Sequence, residues 1–402
     1  MGYRIRIFLI AISTLLAASL PAGVSYAKEK SNTEKGDMKG VWIGTVNHID
    51  YPYAPTTDAG ILEAQIKEEI NNCKEAGFNA IFLQVRPNSD AIYPSAYFPW
   101  SVYVTGKQGT APADDFDPLR CWIETAHANG MELHAWINPY RITSNGIKEW
   151  NALSNTNPAR QHPEWVLQYS NGNFYYNPAL PEVRALIEAG VMEIVNNYDV
   201  DGVHMDDYFY PGNDFPDNAY YNAMNNGVFC SIEDWRRNNV NILIQEINQQ
   251  VHAVKPEIQW GISPSGVWEN KSVNSLGSNT QGGHPSYSKL YADTRLWAVS
   301  GWIDYIAPQI YWNIGHKKAD YVTLVNWWTD TLKNSPTKLY IGLADYKGCG
   351  VSQGNVWYGG SEIARQMDIN QKNEKVSGEI HFRYQLIMND PALKNVVINA
   401  YH

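Results

Sequence analysis

From Lys39 onward the chain repeats one unit eight times: a short run rich in β-branched and aromatic residues, then an amphipathic stretch at helical spacing. The β-rich runs fall at residues 41–46, 80–85, 133–137, 202–206, 259–263, 303–311, 339–343 and 379–384. After the first of them Leu62, Ile66, Ile70 and Cys73 recur on one helical face, and Gly77 follows where a helix would stop. Asp117-Pro118 supplies a cap and a first-turn proline for a helix running to Gly130. Further helices are expected over 183–198 and along the face marked by Val240, Leu243, Ile244, Ile247, Val251 and Val254. Eightfold alternation over about 360 residues predicts an α/β chain of the (β/α)8 TIM-barrel type. A doubly wound open sheet is the alternative, but no G-x-G-x-x-G follows the first strand and no P-loop occurs. Long insertions after strand three (138–181) and strand four (208–233), rich in Asn, Tyr, Pro and Gly, belong on the catalytic face.

Ahead of the barrel, Arg4 and Arg6 precede an apolar run from Ile7 to Leu20 and a small-residue stretch ending Ser25-Tyr26-Ala27. That order is a secretory signal, too short for a span of about 20 residues, with cleavage expected after Ala27. The expected organisation is therefore a signal peptide over 1–27, a polar tether over 28–38 and a barrel over 39–402, exported to the cell envelope or beyond. No later segment is apolar enough to span a bilayer. The formal charge is −10, from 31 basic and 41 acidic residues. Without the leader's two arginines it becomes −12, and no Lys/Arg cluster is present to gather phosphates, which excludes a nucleic-acid partner. The four cysteines show no C-x-x-C; Cys73 and Cys121 fall on apolar helix faces, as buried thiols do. Pairing after export stays open.

Chemistry in such a barrel sits at the C-terminal ends of the strands. Those ends read Gln84-Val85-Arg86, Trp136-Ile137-Asn138-Pro139-Tyr140-Arg141, His204-Met205-Asp206-Asp207-Tyr208, Trp268-Glu269, Gln309-Ile310-Tyr311-Trp312 and Asp345-Tyr346. Strand period two sends His204 and Asp206 to the same side, into the barrel mouth. Adjacent acids after a strand ordinarily cap a turn, but two acids flanked by an inward histidine and a Tyr-Phe-Tyr run point to a pocket. Glycosidic cleavage uses two carboxyls across the scissile bond. Asp206 and Glu269, on neighbouring strands, are one such pair, with Asp345 a third acid. Asp206 with Asp207 suits the other scheme, in which the substrate's own 2-acetamido group attacks while one acid orients it and the other protonates the leaving oxygen. Arg86 and Arg141 are expected either to pair with Asp345 or to clamp a substrate carboxylate.

Metal chemistry has less to draw on: His204-x-Asp206 and His48-x-Asp50 each offer two ligands, yet there is no H-x3-H, no H-E-x-x-H and no triple histidine. No metal or cofactor is expected. No G-x-S-x-G marks a serine nucleophile. Aromatic content then matters: 15 Trp and 26 Tyr against 10 Phe supply flat faces with polar handles, suited to sugar rings. Trp136, Tyr140, Tyr208, Tyr210, Trp268, Tyr311, Trp312 and Tyr346 lie at strand ends, whereas Trp122, Trp235, Trp297, Trp327 and Trp328 lie on helices, as packing residues would.

Six segments, in order, carry a resemblance: Lys39-Gly-Val-Trp42; Phe78-Asn-Ala-Ile-Phe-Leu-Gln-Val-Arg86-Pro; Leu133-His-Ala-Trp136-Ile-Asn138-Pro-Tyr140-Arg141; Asp201-Gly-Val-His-Met-Asp206-Asp207-Tyr-Phe-Tyr-Pro211; Gly261-Ile-Ser-Pro-Ser-Gly266; and Pro308-Gln309-Ile-Tyr311-Trp312. From about Met38 to Tyr401 the chain resembles the glycosyl-hydrolase-like ten family of bacterial envelope proteins. The resemblance implies a TIM-barrel glycoside hydrolase, and some members are associated with cutting peptidoglycan strands stripped of stem peptides. It implies Asp206 as leading catalytic acid or nucleophile, with Arg86, Asn138, Arg141, His204, Asp207, Gln309 and Tyr311 around it. The expected activity is endo-cleavage between N-acetylmuramic acid and N-acetylglucosamine. Two other readings stand beside it: a non-catalytic glycan-binding barrel, and a metal-dependent polysaccharide deacetylase.

Overall fold

The computed structural model describes residues 37–402; the leader over 1–27 and tether residues 28–36 lie outside them. Eight parallel strands close into one barrel in sequential order: β1 (Met38–Ile43), β2 (Ala80–Arg86), β3 (Glu132–Ile137), β4 (Gly202–Met205), β5 (Gln259–Ile262), β6 (Tyr305–Ile306), β7 (Lys338–Leu343) and β8 (Val376–His381). One main helix follows each strand: α1 (Ala59–Glu75), α2 (Pro118–Ala128), α3 (Pro181–Asn197), α4 (Ile232–Val254), α5 (Thr294–Val299), α6 (Tyr321–Leu332), α7 (Ser361–Gln371) and α8 (Pro391–Tyr401). This is the TIM barrel that the alternation predicts. The Asp117 carboxylate caps α2 by accepting from the Arg120 amide at 3.1 Å, and Gly77 and Gly130 both take positive φ just beyond their helices. None of the described helices is long and apolar enough to cross a membrane.

Two boundaries differ from expectation for backbone reasons. The first strand starts at Met38, ahead of residue 41, because Met38–Val41 pairs along Gly378–His381 of β8. The sixth, expected over 303–311, keeps only two ladder residues. Pro308 and the facing Pro264 have no N–H to give, so pairing beyond Ile306 survives as single bonds such as Gln309 N to Pro264 O at 2.9 Å. The insertion after β3 folds a small hairpin, Val166–Gln168 against Phe174–Tyr176, over the same end of the barrel as Arg141, which bridges Tyr175.

Inside the barrel, large rings are accommodated by glycines on facing strands. A Cβ on Gly202 would lie 2.2 Å from His134 Nδ1, and one on Gly261 2.1 Å from the Tyr305 ring. The space so left holds a hydrogen-bonded column along the axis. Trp42 Nε1 donates to His204 Nε2 at 3.3 Å; His204 Nδ1 meets Tyr305 Oη at 3.1 Å; Tyr305 Oη meets His134 Nδ1 at 3.0 Å; His134 Nε2 meets Glu132 Oε2 at 3.4 Å. An indole can only donate, so His204 Nε2 accepts and its proton sits on Nδ1. Outside the barrel wall Trp122, Trp297 and Trp328 are fully buried, as their helical positions imply.

Candidate active site

At the C-terminal mouth a cleft of about 330 Å³ opens, with Asp206 and Asp207 on its floor among Trp42, Gln84, Trp136, Arg141, Tyr208, Ser263, Gln309, Tyr311, Tyr346 and Phe382. Asp206 directly follows β4 on the inward side of the strand. Its Oδ2 accepts from Trp136 Nε1 at 3.0 Å and from Asn138 Nδ2, while Oδ1 accepts from the Tyr208 amide at 3.1 Å. The turn role expected of such an acid is thus real, and it coexists with exposure to the cleft. Asp207 takes one bond, Gln309 Nε2 to Oδ1 at 3.3 Å, and Gln309 is itself anchored on Ser263 O at 2.8 Å.

The donor to Asp206 is held from behind. Asn138 Oδ1 accepts from Gln84 Nε2 at 2.7 Å and from Arg141 Nη2 at 2.9 Å, and Gln84 Oε1 accepts from the amides of Thr45 and Val46, both at 3.0 Å. With its oxygen occupied, Asn138 can offer only its amide N–H to Asp206. Desolvation at the cleft floor, then the charge of Asp207, push Asp206 up to about 7; desolvation likewise raises Asp207. The two carboxyls titrate as a coupled pair, and three donors hold Asp206 where one side-chain donor reaches Asp207.

One wall is aromatic. Tyr311 stacks near-parallel to Phe382 with centroids 6.1 Å apart, Tyr346 meets Tyr311 edge-on at 5.8 Å, and Trp42 meets Phe382 at 6.0 Å. Opposite them Tyr208 lies against the Arg141 guanidinium at 4.8 Å. Burial drives the His204 imidazole well below its usual range, so it is neutral, and Ser263 Oγ sits 2.8 Å from its Nε2. Both ring nitrogens of His204 are engaged, and it supports the cleft from beneath without lining it. Asn138 has the same supporting place.

Six other expected residues stand elsewhere, each for a local reason. A register shift between Gln84 and Arg86 pairs Arg86 with the outward Ile137, turning it out of the mouth. Its guanidinium instead lies 3.6 Å from the Phe98 ring, in space that a Cβ on Gly190 of α3 would fill. Asp345 continues the outward phase of Leu339, Ile341 and Leu343; it pairs with His381 at 3.0 Å on the helical side of the wall, not with Arg86 or Arg141. Trp312 is one residue out of phase with the inward Tyr311, and its carbonyl accepts from Gln366 at 3.1 Å. Tyr140 is buried outside the cleft. Trp268 binds Asp293 through Nε1 at 3.0 Å. Glu269 is fully buried in the loop after β5, accepting from the Asn270 amide at 2.7 Å, so it does not face Asp206 across a sugar site. Ser263, at the end of the fifth strand, also lines the cleft, as do two residues that no strand end named, Trp42 and Phe382; their even spacing from Gly40 and Ile380 is the signal that would have found them.

A model of the family described as glycosyl hydrolase-like 10 matches residues 37–358. The chain is 45% identical over 363 residues to glycosyl hydrolase YngK of Bacillus subtilis (strain 168), covering 88% of this chain and 69% of that protein. It is 38% identical over 400 residues to glycosyl hydrolase DigH of Escherichia coli (strain K12), covering 94% and 89%. Among solved structures it is similar in fold to the PgaB (BpsB) glycoside hydrolase domain from Bordetella bronchiseptica, with TM-score 0.59, 13% identity and coverage of 90% of this chain and 98% of that one. The endo-1,4-beta-mannanase from Rhizomucor miehei gives TM-score 0.57 and 11% identity, with coverage of 91% and 94%.

Proposed function

This chain belongs to the glycosyl hydrolase-like 10 family and is a glycoside hydrolase, and on that premise we propose that it is exported and cuts the glycan of the bacterial cell wall, in strands lacking stem peptides. The observation that carries the reading is the unequal seating of Asp206 and Asp207: one carboxylate fixed by three donors, the other half-free in the cleft beside it. That asymmetry suits a sugar bearing a 2-acetamido group. Asp206 accepts the acetamido N–H and holds the group beneath the anomeric carbon. The acetamido oxygen then bonds to that carbon as the glycosidic C–O bond breaks, and Asp207 gives its proton to the leaving oxygen. Water attacks the resulting ring with Asp207 taking back a proton, which restores the acetamido group and the starting protonation. The Trp42, Tyr311, Tyr346 and Phe382 wall supplies faces for stacking sugar rings. The leader-like order of residues 1–27 supports export, and the family resemblance supports the wall glycan.

The test is incubation of the purified mature protein with amidase-stripped and with intact peptidoglycan, followed by analysis of the released sugars and muropeptides. Reducing-end release from stripped strands is expected. Absence of release from both substrates overturns the reading.

A further inference from the structure

We propose that Arg141 makes the cleft a reader of a free carboxylate on the substrate sugar, such as the 3-O-lactyl acid of a muramic residue; this rests on the function proposed above. Arg141 is the one lysine or arginine among the residues lining the cleft. Its guanidinium is fixed on two edges by neutral acceptors. Nε donates to Asn88 Oδ1 at 2.9 Å and to Pro87 O at 3.2 Å, and Nη2 donates to Pro87 O at 2.7 Å and to Asn138 Oδ1 at 2.9 Å. Tyr208 covers one face. Nη1 has no acceptor among the described residues, and no carboxylate there forms an ion pair with Arg141.

The held edges of this cation meet only uncharged oxygens, and its Nη1 is left without an acceptor among the described residues in a side chain that lines the cleft. A carboxylate satisfies both, with charge-assisted bonds and no reorganisation of the arginine. The neighbouring Asp206 and Asp207 do not discharge this role, since neither forms an ion pair with Arg141 and both accept from other donors. A stem peptide converts the lactyl acid to an amide, which removes the charge and adds bulk at the same atom. Preference for stripped strands then has a stated physical origin: the group that stripping exposes is the group Arg141 recognises.

The experiment compares one preparation of stripped glycan in two forms, the free acid and the same strands with carboxyls converted to primary amides by carbodiimide and ammonia. The wild-type protein is expected to show kcat/KM at least about tenfold higher on the acid, with the difference in KM and shrinking as salt rises. Arg141→Met is expected to bring the acid-to-amide ratio to about one, whatever its absolute rate, and Arg141→Lys to retain part of it. Loss of Asn138 support lowers rates on both forms equally, so a merely structural Arg141 leaves the ratio at its wild-type value and overturns the proposal. So does equal cleavage of the two forms by the wild type. If neither glycan is cut, the proposed function fails, and calorimetric binding of N-acetylmuramic acid against its carboxamide decides the Arg141 reading separately. Tighter binding of the acid, lost in Arg141→Met, supports it, and equal or absent binding overturns it.

Discussion

Trp136 Nε1, on β3, and Asp206 Oδ2, directly after the adjacent β4, are joined at 3.0 Å across the floor of the cleft. The bond fixes the carboxylate from the side opposite the turn amide of Tyr208, so Asp206 has no freedom to rotate toward a leaving group. In the proposed mechanism this fixed carboxylate holds a donor of the substrate in place, and the neighbouring Asp207 moves the proton.

Asp206→Asn is accordingly expected to lower turnover on stripped glycan by about 10³-fold or more, the scale of losing one member of a positioned catalytic pair. Circular dichroism should show the barrel intact. Turnover within a few-fold of wild type would remove Asp206 from the mechanism.

The paired acids also predict a pH signature. Both carboxyls are held above the ordinary range in the folded chain by desolvation, with Asp206 up to about 7. A folded-state pKa raised above the unfolded value favours the protonated fold, so stability is fully present below about 4 and is lost as pH rises toward and through 7. Asp207→Asn is therefore expected to gain melting temperature relative to wild type at pH 8 and to gain little at pH 4. The kcat/KM of the wild type should fall above about pH 7 as the coupled pair becomes fully ionised.

Glu269→Gln serves as the contrasting acid. Buried in the loop after β5 with Asn270 as its bond partner, it touches no part of the cleft, and kcat/KM should stay within about threefold of wild type. A loss of several hundredfold in a well-folded variant would return Glu269 to the reacting atoms.

Gly261→Ala is expected to abolish soluble folded protein or to cost more than about 3 kcal/mol by chemical denaturation, since its Cβ would fall within 2.3 Å of three Tyr305 ring atoms and the ring has no room to retreat. His204→Gln breaks the same column more gently. Leaving Trp42, Ser263 or Tyr305 short of a partner should cost about 1–3 kcal/mol, and nitrogen NMR of the wild type should show His204 neutral and protonated on Nδ1 throughout pH 5–8.

The barrel itself was legible because eight hydrophobic runs and their helix caps are local signals, and each strand lies within a few residues of its expected place. Cleft membership was harder to read. A strand end names two sides, and the odd and even residues separate only when the phase of each strand is known. Asp345 and Trp312 sit one residue from the inward Tyr346 and Tyr311, and the same reasoning that placed Asp206 inward would have turned them out. Arg86 was not recoverable that way, because the shift that inverts its phase lies in the pairing of β2 with β3 and has no composition of its own. Glu269 lies beyond its strand, where period two ceases to apply. The support of Asp206 by Asn138, Gln84 and Arg141 depends on contacts between residues more than fifty positions apart, apart from the local Arg141 bond, and no window of sequence contains it.

The register shift that turns Arg86 outward also sets the electrical balance of the mouth. With Arg86 removed to the helical side, the cleft holds one arginine, Arg141, beside two acids. In a chain with formal charge −10, Arg141 is thus the one fixed cation among the described residues lining the cleft. Had strand two kept its phase, a second fixed cation would sit in the mouth with Asp206, and its charge would favour the ionised form of both acids.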